Sequence, residues 1–108
     1  HSRGLPMSEL IADVALALKE AQDATANVLE ELGQPPTRDE VQAKKASEIL
    51  RDIGLIRREM PVASEISKER AGELVGRIRG LIIRCTGKLQ QLHPCLMRTI
   101  AATLRAAE

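Results

Sequence analysis

Three proline breaks divide this chain into four stretches of helical periodicity, and that segmentation constrains the fold more than any other feature. Gly33-Gln34-Pro35-Pro36 and Met60-Pro61 cannot lie in a helix interior, because proline lacks an N–H and its ring clashes with the preceding turn. His93-Pro94 ends a third stretch, and Pro94 suits the first turn of a fourth. Phe, Tyr and Trp are missing from all 108 residues. A core built from Leu, Ile, Val, Ala and Met favours helix-on-helix packing over a β-sandwich. The expected fold is all-α: an antiparallel four-helix bundle of three long helices and a short C-terminal fourth, with short connections making neighbours antiparallel.

The length is enough for one domain with its own core, without metals or disulfides. A content of 44% hydrophobic and 29% charged residues separates the chain from a disordered one. Residues 8–108 are expected to form that domain. Residues 1–7 are expected to be disordered or foreign to it, with Met7 a candidate native start. No apolar run is long enough to span a membrane, and no secretory signal is visible. Cys85 and Cys95 make no disulfide framework, so a reducing, cytoplasmic compartment is the default expectation.

In the first stretch Ile11, Val14, Leu18, Ala21, Thr25, Val28 and Leu32 recur at 3–4 spacing, the seam of a coiled-coil-like helix over 8–32. Leu10 and Leu29 widen that stripe, Ser8 is a candidate N-cap, and Gly33 stands where a C-terminal cap would. Thr37-Arg38-Asp39-Glu40 reads as a capping box opening a second helix over 38–59. Its apolar set is Val41, Ala46, Ile49, Leu50, Ile53, Ile56 and Met60. Pro61 sits in the next turn or Ser64 caps the third helix, which the periodicity extends to Leu92 as the longest element. Leu96, Met97, Ile100, Ala101 and Leu104 give the fourth helix its apolar face.

The third stretch carries the feature that points to function. Glycines at 72, 76 and 80 recur every fourth residue away from the apolar stripe, and each costs about 1 kcal/mol relative to alanine. A repeat of small residues lets a neighbour approach the backbone closely. The fourth helix, folding back from Pro94, is expected to cover Gly80, Ile83 and Gly87 but not Gly72 or Gly76. Arg70, Arg77, Arg84 and Lys88 form a basic stripe along one edge, with Arg79 beside the glycines. The candidate partner-binding set is therefore Gly72, Gly76, Arg77, Arg79, Ile83, Arg84 and Lys88.

Charge is uneven along the chain despite a net charge of +1. Residues 1–37 hold Arg3 and Lys19 against Glu9, Asp13, Glu20, Asp23, Glu30 and Glu31. Residues 76–107 hold Arg77, Arg79, Arg84, Lys88, Arg98 and Arg105 with no acid. A basic stripe of this kind suits a protein with an acidic surface, or an anionic membrane surface. Nucleic acid is not an expected partner: no helix-turn-helix spacing, zinc-finger pattern or aromatic interleaving is present.

No catalytic constellation, cofactor motif or metal site emerges. Cys85, His93 and Cys95 match no zinc-ligand spacing and lack a fourth ligand. Gly76-Arg77-Ile78-Arg79-Gly80, with Ile82, Cys85 and Gly87, resembles the arginine-finger segment of bacterial Rho-GTPase-activating effector domains. That resemblance covers about a dozen residues and implies a helical bundle in which Arg79 supplies charge to a phosphoryl-transfer transition state. The residues themselves point to a non-enzymatic protein-binding bundle of adaptor, targeting, scaffold or assembly type centred on the third helix. A homo-oligomerisation module pairing through Gly72 and Gly76 is the other reading from the residues.

Overall fold

The computed structural model describes residues 7–36, 38–59 and 67–106, apart from the side chains at 7, 8 and 10. Helix α1 spans Met7–Leu32, α2 Glu40–Glu59, α3 Lys68–Ile83 and α4 His93–Ala106, with a 3-10 helix over Gly87–Leu92 before α4. No strand occurs among the described residues.

The heptad seam of α1 is buried as its spacing predicts: Val14, Leu18, Ala21, Thr25, Val28 and Leu32 are inaccessible or nearly so, and Ile11 packs at the edge. Starting at Met7, α1 takes Ser8 inside the helix rather than as its cap. After Leu32 the Gly33 N–H still bonds the Leu29 and Glu30 carbonyls (3.1 and 3.2 Å), and Gly33 does not adopt the left-handed conformation of a glycine cap.

At the start of α2, Asp39 acts as a cap: its carboxylate accepts the Gln42 N–H at 3.0 Å and its carbonyl accepts the Ala43 N–H at 2.9 Å. Thr37 lies outside the described residues, as does Met60 of the expected apolar set. Ala46, Ile49, Ile53 and Ile56 are buried, whereas Val41, close to the helix start, is exposed.

Helix α3 is shorter than its periodicity suggests, with 16 residues against the 26 of α1. Its N-cap is Ser67, whose hydroxyl accepts the Arg70 N–H at 3.1 Å; the candidates Pro61 and Ser64 lie outside the described residues. At its C-terminus the Arg84 N–H is shared between the Gly80 and Leu81 carbonyls, and Cys85 N–H bonds Ile82. Thr86 is then extended (φ −141°, ψ 157°) and Gly87 takes φ +53°. The Thr86 hydroxyl accepts from Gln42 Nε2 (2.9 Å) and donates to Gln42 Oε1 (3.1 Å), which ties the break to the start of α2. Beyond it, Leu89 and Leu92 are fully buried. Side chains three apart eclipse on a 3-10 helix, so the i, i+3 leucine pair keeps its place in the core although the α-helix has ended.

The buried face of α4 differs from the expected one. Leu96 and Ile100 are buried, but Met97 and Leu104 are each 46% exposed and Ala101 is exposed. The remaining buried positions are small: Thr99, Ala102, Thr103 and Ala106. Thr99 and Thr103 satisfy their hydroxyls on the carbonyls one turn back (3.0 and 2.7 Å), as Thr25 does in α1 (2.6 Å). Small residues let helices approach closely, and α4 makes its most extensive contact with α1.

Contacts between side chains fix the topology. Arg57 of α2 bonds Gln22 of α1; Arg77 of α3 bonds Glu59 of α2, whose Asp52 meets Arg84; Arg98 and Arg105 of α4 approach Glu20 and Asp13 of α1. Each pairing runs in opposite chain directions, so the helices form an antiparallel four-helix bundle with extents of 50 × 21 × 20 Å. One apolar cluster drawn from all four helices fills its centre. The α1–α2, α1–α4 and α3–α4 sides are well packed, and α2 and α3 touch least.

Candidate functional site

The residues singled out on the third helix separate onto two surfaces. The apolar face of α3, through Ala71, Leu74, Val75, Ile78 and Leu81, points into the core. The opposite face carries Gly72, Gly76, Arg79 and Ile83, all exposed, with Ile83 at 79%. Among the described residues, a Cβ built at Gly72, Gly76 or Gly80 meets nothing within 4 Å. The expectation that α4 lies in this groove is therefore not met: α4 packs on α1 and on the other side of α3. Among the described residues this outer face is uncovered. Gly87 lies off the row, beyond the end of the helix.

Arg70, Arg77, Arg84 and Lys88 lie on the second surface, and each pairs within the chain. Glu59 of α2 holds both Arg70 and Arg77, the latter at 2.8 Å, while Glu73 takes a further bond from Arg70 at 2.6 Å. The hydrogen bonds to Glu73 and Glu59 raise the pKa of Arg70 further above its already high ordinary value. Arg84 pairs with Asp52, leaving its buried Nε without a partner. Lys88 reaches Glu31 at the end of α1. Arg79 pairs with no carboxylate among the described residues.

Helices α2 and α3 thus meet mainly through charged side chains. Between them runs a shallow depression of about 530 Å³ lined by Leu55, Arg58, Glu59, Arg70 and Arg77. A second of about 300 Å³, with Asp52, Ile56, Gly80, Leu81 and Arg84, adjoins it at Arg77. The α2 members of this cleft were not evident from composition or charge sign. A signal existed in spacing: Asp52 and Glu59 are seven residues apart, as are Arg70, Arg77 and Arg84. Seven residues is about two helical turns, so two antiparallel helices bring the rows into register.

The other candidate groups do not assemble. Cys85 and Cys95 are free thiols, both half-buried, and His93 is exposed as the first residue of α4. Burial pushes the Cys85 thiol pKa up, against a smaller opposing pull from Arg84, so it is a poor nucleophile at neutral pH. No cluster of three or more His, Cys, Asp or Glu suited to a metal exists among the described residues. Nor is any described helix long and apolar enough to cross a membrane. Arg79, the residue singled out by the arginine-finger resemblance, sits inside α3. Comparison with protein-family models, curated proteins and solved structures finds no match to this chain.

Proposed function

We propose that this domain is a non-enzymatic protein-binding module whose docking surface is the outer face of α3, built from Gly72, Gly76, Arg79 and Ile83. One observation carries the reading: among the described residues nothing lies over the helix-interior glycines Gly72 and Gly76, although each costs about 1 kcal/mol relative to alanine. No contact among the described residues accounts for them. A partner that packs against the bare backbone does, and Ile83 supplies the apolar anchor that such contacts favour. Arg79, unlike Arg77, Arg84 and Lys88, is free of carboxylates among the described residues and gives the surface its charge. The partner is another protein, with an acidic side chain opposite Arg79.

Gly76→Leu fills the surface without entering the core, so it should leave the melting temperature within a few degrees and abolish partner capture. Arg79→Glu should weaken capture and leave melting unchanged. Partners retained by both variants overturn this surface. Sedimentation velocity on the wild type and on Gly76→Leu identifies the case in which the partner is a second copy: the wild type then sediments as a dimer and the variant as a monomer. Arg77 and Arg84 make poor probes of docking, because reversing their charge breaks contacts to Glu59 and Asp52 and lowers the melting temperature.

A further inference from the structure

We propose that the cleft between α2 and α3 binds an acidic amphipathic helix of another protein, with Arg58, Arg70 and Arg77 receiving its carboxylates and Leu55 its apolar side. This rests on the reading of the domain as a binding module but not on the outer surface of Gly72, Gly76, Arg79 and Ile83, which is separate from the cleft; Gly80 alone borders the cleft.

Among the described residues the cleft is the most loosely packed side of the bundle, and its larger depression is lined by three guanidinium groups and one carboxylate, Glu59. Arg70 and Arg77 converge on that same carboxylate, while Arg58 pairs with no carboxylate among the described residues. Glu73 draws on Arg70 from the solvent side, and a surplus of positive charge remains. Arginine presents a planar fork of donors that matches carboxylates. Leu55, 40% exposed, offers apolar contact between these charges.

Spacing favours a helix as the occupant. Arg70 and Arg77 of α3 and its C-cap residue Arg84 form a row about 21 Å long with one position every two turns, the interval at which an acidic helix with heptad-spaced glutamates presents them. Asp52 and Glu59 already answer this row from within the chain, so the incoming glutamates compete with internal ones. Nucleic acid is disfavoured because a phosphate backbone leaves the exposed Leu55 without an apolar contact.

The test is fluorescence anisotropy of a labelled synthetic helix carrying heptad-spaced glutamates flanked by leucines, beside a counterpart with glutamine at those positions and a labelled single-stranded oligonucleotide. The acidic helix should bind, the glutamine helix should bind at least about tenfold more weakly, and added salt should weaken the first. Arg58→Glu should weaken binding about tenfold with melting unchanged, Glu59→Gln should tighten it by releasing Arg70 and Arg77, and Arg79→Glu should have no effect. Equal binding of the two helices, indifference to Arg58→Glu, or tighter binding of the oligonucleotide overturns the cleft. No binding of the acidic helix also overturns it and leaves the glycine-face reading standing. Sensitivity to Arg79→Glu alone moves the binding to the glycine face and overturns the cleft.

Discussion

Single positions in and around α3 carry opposite demands although their residue types look alike. At Gly87 the backbone is left-handed (φ +53°) and a Cβ would lie 3.4 Å from Gln42 Nε2. A side chain in that conformation costs about 1–2 kcal/mol, so Gly87→Ala should lower unfolding stability by about that amount in a urea titration. Two residues apart in α3, Leu81 is 2% exposed and Ile83 79%. Leu81→Ala should cost about 2–5 kcal/mol, while Ile83→Ala should change stability by less than about 0.5 kcal/mol. Cys85 gives a pH signature. Its folded pKa is raised, so above the ordinary thiol pKa the unfolded chain releases a proton that the folded chain still holds. This contribution to stability is complete below the unfolded pKa and is lost as pH rises through the folded value. Unfolding followed across mildly alkaline pH should show a decline that is smaller in Cys85→Ala.

At the level of elements, the first two helices follow their patterns because their apolar residues are large and regularly spaced. In α1 every heptad position from Val14 to Leu32 is buried. The third helix misleads because Leu89 and Leu92 continue its period across a break. Thr86-Gly87 was the available stop signal, and its cause, the bond of Thr86 to Gln42, joins residues 44 apart that no local pattern connects. The fourth helix misleads differently. Hydrophobicity selects Met97 and Leu104, but close approach to α1 selects small residues, and Thr99 and Thr103 can be buried because their hydroxyls bond their own helix. Asp39 caps the start of α2. Asp39→Ala should cost about 1 kcal/mol in thermal or urea unfolding. An unchanged midpoint would place the cap elsewhere.

For the whole molecule, the uneven distribution of charge along the chain is resolved by the topology. Antiparallel packing sets Arg98 and Arg105 of α4 opposite Glu20 and Asp13 of α1, at 3.7 and 3.9 Å, and brings Lys88 to Glu31. The acidic start and basic end of the chain are complementary surfaces of one bundle. Exposed pairs of this kind contribute about 0.2–1 kcal/mol each. The double reversal Arg98→Glu with Arg105→Glu should therefore lower the melting temperature at low salt, and added salt should restore part of it. The bundle and its antiparallel order were legible because proline breaks and heptads are local signals. The division of the α3 residues between an open face and a charged cleft was not, since it depends on which neighbour occupies each side. That division rests on the glycines being bare. Thermal unfolding of the Gly72→Ala, Gly76→Ala double variant tests it most directly: with nothing above these positions, helix propensity alone should raise stability by about 1–2 kcal/mol, or roughly 4–8 °C per kcal/mol. A fall in melting temperature would mean that part of this chain covers the face, and would contradict the account.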